Sequence, residues 1–292
     1  MAEDAQLGEA PGRIGRRGER GRHGDRRLGR LRSRGRVVHE DERKRDENDK
    51  DATAHVDSLR QSIARHTTTG YGRGVKRDLQ LIDRLERLHP AVVADCLDRL
   101  GARNQVLDPA IRPLYPEAKL AGYAATVHCV PMDGVPASRE DWYSGELAAI
   151  DSLEPGDVMV VSTCKGSYWG ELLATASRYR GARGIVVDAY TRDTLALIEM
   201  QFPTFAAGIH CADSLGRIDV QAFGVEITCG GVTVANGDLV LADNDGVVIV
   251  PAAIAGEAIT LAEEKIAGET LVRQKLEEGM SVAEAFRVYG VI

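Results

Sequence analysis

The sequence predicts an α/β fold built on a mixed β-sheet and finished by a long C-terminal helix. Three observations predict it. Two continuous apolar runs, Val158-Met159-Val160-Val161 and Ile185-Val186-Val187, flank a helix-like segment, as parallel strands buried on both faces do. Short β-prone runs then crowd between residues 204 and 250 around a tight Asn236-Gly237 turn. Finally, a charged helix-forming stretch covers residues 252–278.

The elements follow in order. Leu79, Ile82, Leu85 and Leu88 recur at helical spacing, and His89-Pro90 ends that helix and opens a second. The second stripe is Val93, Leu97 and Leu100, with Gly101 where a C-cap glycine belongs. After Pro109, Pro113 and Pro116, residues 120–130 read as a strand, and Gly156-Asp157 turns the chain into the strand at 158–161. Residues 165–170 read as a flexible loop, 169–179 as a helix, 184–188 as a buried strand and 193–200 as a short helix. Strands at 204–206, 225–228, 232–234, 239–241 and 247–250 come next, the last closed by Pro251. In the long helix, Glu269 stands four residues before Arg273. Ser281-Val282-Ala283-Glu284 is a capping box for a last helix ended by Gly290.

The net charge of −7 hides two different compositions. Residues 1–74 carry 18 Lys and Arg against 13 Asp and Glu, whereas residues 75–292 carry 19 against 31. Eleven arginines lie from Arg13 to Arg36, opposed only by Glu19 and Asp25, and residues 40–51 have no apolar side chain. Such a stretch buries too little surface to offset its ordering entropy. Residues 1–74 are therefore expected to be a disordered Arg/Gly-rich extension and 75–292 the folded domain. A basic arm suits RNA or phospholipid, but Tyr71 is its only aromatic, so stacking on bases has little support. A solvated extension, such as an upstream start codon would add, fits the composition better. Nucleic acid is not an expected partner.

Other classes fall away. No apolar run is long enough to span a membrane, and the first residues lack the apolar core of a secretory signal. Cys96, Cys129, Cys164, Cys211 and Cys229 show no C-x-x-C spacing, which supports neither a disulfide framework nor a zinc cluster. A reduced, cytoplasmic protein is expected. G-x-S-x-G, H-E-x-x-H and the P-loop motif are absent, and the Gly70–Gly74 run follows no strand, so it reads as linker. His128 reads as a packed or surface residue of a strand, and His210 as a candidate cleft residue. Trp142 and Tyr143 are candidates for a distal pocket wall.

The informative stretch is 156–193. A loop ending in Gly170 leads into a helix that begins Glu171-Leu172-Leu173. The first amides of a helix have no intrahelical partner and carry the positive end of its dipole, and a preceding glycine lets a ligand come close. This makes a carboxylate or phosphate cradle. The strand at 184–188 runs on to Arg192-Asp193, which pairs a planar cation with a hard oxygen ligand.

Gly170-Glu171-Leu172-Leu173, the twenty residues from Leu172 to Thr191, and then Arg192-Asp193 resemble the acidic-x20-Arg-Asp signature of a known family. It is that of the class II pyruvate aldolases related to 4-hydroxy-4-methyl-2-oxoglutarate aldolase, which also contains the regulator of ribonuclease activity A. The resemblance continues through Leu120-Ala121-Gly122, Gly156-Asp157, Gly230-Gly231-Val232 and Asn236-Gly237-Asp238, and covers about residues 76–292. It implies an α/β sandwich like the swivelling phosphohistidine domain, assembled as homotrimers or hexamers with a cleft between subunits. It further implies a divalent cation, Mg²⁺ or Mn²⁺, bound directly by Asp193 and through water by Glu171. Arg192 would hold the 2-oxo oxygen of a small 2-oxo acid, and Gly170 with the Leu172 and Leu173 amides its carboxylate. Glu171 stands where some members have Asp. The implied activity is metal-dependent cleavage of 4-hydroxy-2-oxo diacids to pyruvate, with oxaloacetate decarboxylation. The alternative is a non-catalytic regulator of a ribonuclease E-like assembly.

Overall fold

A computed structural model describes residues 77–290; residues 1–76, 291 and 292, and with them the expected extension, lie outside the described residues. The chain enters with two helices, Leu79–Glu86 (α1) and Pro90–Arg99 (α2). Asp78 caps α1, its carboxylate accepting the Gln80 and Leu81 amides at 3.0 and 3.2 Å. Pro90 opens α2 at a position where no amide hydrogen is needed.

Eleven strands follow, interleaved with helices. They are Arg112–Pro113 (β1), Leu120–Pro131 (β2), Asp157–Val161 (β3), Ser167–Trp169 (β4), Gly184–Thr191 (β5) and Thr204–Ile209 (β6). Ile218–Phe223 (β7), Ile227–Cys229 (β8), Val232–Val234 (β9), Leu239–Asp243 (β10) and Gly246–Val250 (β11) complete the set. Ser144–Asp151 (α3), Glu171–Tyr179 (α4) and Thr194–Glu199 (α5) lie between strands, and Ala255–Glu277 (α6) and Val282–Tyr289 (α7) end the chain. Nine strands form one sheet in the order β1-β6-β5-β3-β2-β10-β11, with β4 beside β5 and β7 beside β2. The β2–β3, β3–β5, β4–β5 and β5–β6 pairs are parallel and the others antiparallel, so the sheet is mixed as expected.

The sheet is more closed than a sandwich. Val106 bridges to Val248 of β11, and a few residues later β1 pairs with β6 at the far edge. The chain between them thus spans both edges. Strand alternation then sorts the side chains. Val158, Val160, Val186, Val240 and Ile249 share an inner core with β8 and β9. Their neighbours Met159, Val161, Ile185 and Val187 face a second core beneath α3, α4 and α5. Leu239, Leu241, Val248 and Val250 pack on α1, α2 and α6.

The expected elements 165–170 and 169–179 need correction. Ser167, Tyr168 and Trp169 are buried and form β4, so this is no flexible loop, and helix α4 starts only at Glu171. Tyr168 reads as loop and Trp169 as the first residue of a helix, but both are buried and the segment pairs with the end of β5, which makes it a strand. The strand expected at 184–188 runs three residues further, to Thr191. Helix α3 and strand β7 were not anticipated.

Candidate active site

Strands β4 and β5 run parallel, with Trp169 opposite Thr191. Each ends on a residue of the anticipated constellation: Gly170 follows β4, and Arg192-Asp193 follows β5. The Arg192 amide donates to the Trp169 carbonyl at 2.9 Å, locking the two strand ends together. Asp193 adopts a left-handed backbone (φ 55°), which turns its carboxylate back toward α4. Its Oδ2 accepts the Glu171 amide at 3.1 Å, one of the unpaired donors of that helix. The first intrahelical bond runs from the Ala174 amide to the Gly170 carbonyl, leaving the Leu172 and Leu173 amides ahead of it.

Gly170 is needed here for space. Its backbone is extended, but a Cβ would lie 2.6 Å from Asp193 Oδ2 and 3.4 Å from Arg192 Cγ. Arg192 stands between two carboxylates, with Nε 3.9 Å from Asp193 Oδ2 and one terminal nitrogen 3.2 Å from Asp213 Oδ1. Burial raises the Asp213 carboxyl, but the Tyr143 hydroxyl and the Arg192 charge outweigh it and hold the group below its usual value. In turn, burial and the bond to Asp213 push the Tyr143 phenol up to about 12.

These groups line one cleft of about 280 Å³, walled by Tyr143, Glu146, Leu147, Ser167–Gly170, Leu172, Leu173, Arg192, Asp193, Asp213 and Ser214. Gly170, Leu172, Leu173, Arg192 and Asp193 are therefore brought together as the sequence implied. Glu171 is not in this wall. It lines an outer hollow that shares Asp193, and its carboxylate accepts from the Thr175 hydroxyl at 2.9 Å. Tyr143 lines the cleft, whereas Trp142 is turned away with its indole nitrogen on the Pro136 carbonyl. His210 does not line it: it is exposed beside Tyr190, ring centroids 5.6 Å apart. His128 is half-buried on β2, as its strand position suggested.

Sequence reasoning missed Glu146, Asp213 and Ser214. No local motif marks them, and they arrive from 25 residues before and 20 residues after the signature, roughly, through folding alone. The one available signal was Glu146 itself, an acid in the apolar stretch Gly145–Ile150.

The sequence profile of the RraA-like family (Aldolase/RraA) matches residues 90–249, more than half of the chain. The chain belongs to the RraA-like family. A Halalkalibacterium halodurans protein provisionally named as a 4-hydroxy-4-methyl-2-oxoglutarate aldolase is 26% identical to it over 212 residues, 72% of this chain and 94% of the relative. Among solved structures, an uncharacterised protein of Pseudomonas syringae pv. tomato superposes with TM-score 0.63 at 25% identity, covering 73% of this chain and 99% of the other. Streptomyces coelicolor RraAS2, described as an unusual member of the RNase ES inhibitor RraA protein family, gives 0.61 at 30% identity, over 68% and 100%. The matched region of this RraA-like chain contains every residue of the cleft.

A divalent cation fits the chemistry of the donors. Arg192 is the only cationic residue in the cleft wall, against the carboxylates of Asp193 and Asp213. A 2-oxo acid brings further negative charge, which a bound cation would offset. Among the described residues no three His, Cys, Asp or Glu gather as a ligand cage. The donors fit an ion that keeps most of its water and takes one or two carboxylates, as Mg²⁺ does. No helix among the described residues is long and apolar enough to cross a membrane.

Proposed function

We propose that this protein is a divalent-metal-dependent pyruvate lyase. It cleaves the C3–C4 bond of 4-hydroxy-2-oxo diacids of the 4-hydroxy-4-methyl-2-oxoglutarate type and also decarboxylates oxaloacetate. The observation that carries this reading is the convergence of Gly170, the start of α4 and Arg192-Asp193 on one cleft, through the pairing of β4 with β5.

The substrate carboxylate lies on the Leu172 and Leu173 amides, at the positive end of α4. Arg192, steadied by Asp213, holds the 2-oxo oxygen and stabilises the charge that grows there as the bond breaks. Asp193 would hold the metal directly, and Glu171 through water. When bound, Mg²⁺ or Mn²⁺ supplies further positive charge at the carboxylate and ketone oxygens. No lysine lines the cleft, which speaks against an imine route. The buried faces of Tyr168 and Trp169 limit water beside the reacting carbon.

The test is pyruvate release from oxaloacetate and from 4-hydroxy-4-methyl-2-oxoglutarate, with and without EDTA. The reading expects release from both, lost with EDTA and restored by excess Mg²⁺ or Mn²⁺; no release from either overturns it. The likeness to RraAS2 favours a second reading, a regulator that binds a ribonuclease E-like assembly without chemistry. A regulator has no need of Arg192 and Asp193 in a cleft, so that reading moves ahead if the assay is silent.

A further inference from the structure

Helix α3, which sequence reasoning missed, carries an acid into the cleft wall. Glu146 is 5% exposed, one carboxyl oxygen accepting from the Ser214 hydroxyl at 3.2 Å and the other having no partner. Four buried side-chain polar atoms among the described residues lack a partner, and two of them, Glu146 Oε1 and Trp169 Nε1, belong to this cleft. A buried carboxyl oxygen left unpaired is costly to folding and calls for a ligand or a task. Gly145 permits the placement: a Cβ there would stand 2.6 Å from the Val220 carbonyl, so only glycine lets α3 sit this close to β7.

We propose that Glu146 is the proton carrier of this site, taking the C4-hydroxyl proton of the substrate and delivering it to C3 of the departing pyruvate. The inference rests on the lyase reading. In cleavage, the carboxylate removes the O–H proton and the oxygen pair closes the new carbonyl. The C3–C4 pair becomes the enolate double bond, and the 2-oxo oxygen takes the charge. The enolate pair then takes the proton back from Glu146, forming the C3–H bond, and the oxygen pair restores the ketone. No proton is gained or lost overall. In oxaloacetate decarboxylation no hydroxyl is deprotonated; protonated Glu146 gives its proton to C3 after CO₂ leaves and regains one from water.

Burial pushes the Glu146 carboxyl up to about 8, aided by Asp213 and Asp219 and opposed by the Ser214 hydroxyl and Arg192. Tyr143 and Tyr168 also stand in the cleft wall and are neutral in this range, their phenols raised. A carboxyl tuned this way serves both as base and as acid near neutrality.

The two reactions therefore need opposite forms of one group. Cleavage of the 4-hydroxy diacid should rise as pH passes upward through about 8, and oxaloacetate decarboxylation should fall through the same pH. Glu146→Gln should lower cleavage about 100-fold or more and abolish both pH limbs, within the range of general acid–base catalysis. It should also stop exchange of the pyruvate methyl protons with deuterated water, read by NMR. Ser214→Ala keeps the acid and removes a bond that favours its ionised form, so both limbs should move together to higher pH. Wild-type turnover with unaltered limbs and methyl exchange in Glu146→Gln overturns the assignment to Glu146 alone. A wild-type protein that releases no pyruvate overturns the lyase reading and this one with it. Should Glu146→Gln not fold, limbs that stay fixed in Ser214→Ala overturn the assignment.

Discussion

Asp193 joins three tasks in one side chain: a left-handed turn, a bond to the first amide of α4, and an ion pair with Arg192. Asp193→Asn keeps the shape and removes the anion. We expect it to cut turnover by about 10²–10⁴, on the order of 3–5 kcal/mol of transition-state energy, with weaker Mn²⁺ binding by titration calorimetry. A mutant with wild-type turnover and Mn²⁺ affinity would refute the assignment. Gly170 and Leu172 give a contrasting pair. Leu172 is 77% exposed and in the proposed mechanism contributes only its amide, so Leu172→Ala should change stability by less than about 0.5 kcal/mol and leave chemistry in place. Gly170→Ala drives a methyl into the Asp193 carboxylate and should cost at least about tenfold in turnover with little change in melting temperature. Equal kinetic effects from the two would contradict the cradle. Glu146 also marks the stability curve. Its carboxyl rises from 4.5 to about 8 on folding, so the native state holds more protons than the unfolded chain between these values. That contribution is complete below about 4.5 and lost as pH rises through about 8, and Glu146→Gln should flatten the fall of melting temperature over this window. At this scale the signature residues were legible because strand and helix ends carry them close in sequence. Glu146 and Ser214, 68 residues apart, were not, since only the folded chain brings the segment before β7 onto α3.

Elements with a clear local signal were legible: the apolar stripes of α1 and α2, the unbroken apolar runs of β3 and β5, and the long charged run of helix formers in α6 all stand near their expected places. Those that failed did so for local physical reasons. Helix α3 is apolar on most sides and contains Gly145, so no amphipathic stripe marks it. Strand β4 has three residues between two glycines, too few for alternation to show. Its strand character comes wholly from pairing with β5. Gly145→Val tests how tightly α3 must dock. The added side chain meets the Val220 backbone, and we expect a loss of about 1–3 kcal/mol in denaturant unfolding together with lost activity. A stable, active Gly145→Val protein would show that α3 can shift without disturbing the cleft.

At the scale of the molecule, α4 and α5 carry exposed apolar side chains. Leu172 and Leu195, 77% and 82% exposed, start the helices that follow β4 and β5, and Tyr179, 93% exposed, ends the first of them. Surfaces of this kind favour association, and we expect light scattering at micromolar concentration to find a trimer or hexamer rather than a monomer. A chain beginning at Val75 should keep solubility and turnover, because the 1–74 segment is rich in charge and poor in apolar side chains. Loss of either would give that segment a role. The curled sheet has a consequence for the order of events during synthesis. Strand β2 lies beside β10, and the Thr126 amide bonds to Asn236, 110 residues later. The Val106 bridge to β11 reaches further still. The first strands to leave the ribosome thus wait with one edge bare until nearly the whole domain has been made. Such late, long-range pairing makes for slow folding, and the waiting edge is where a holding chaperone would find its grip.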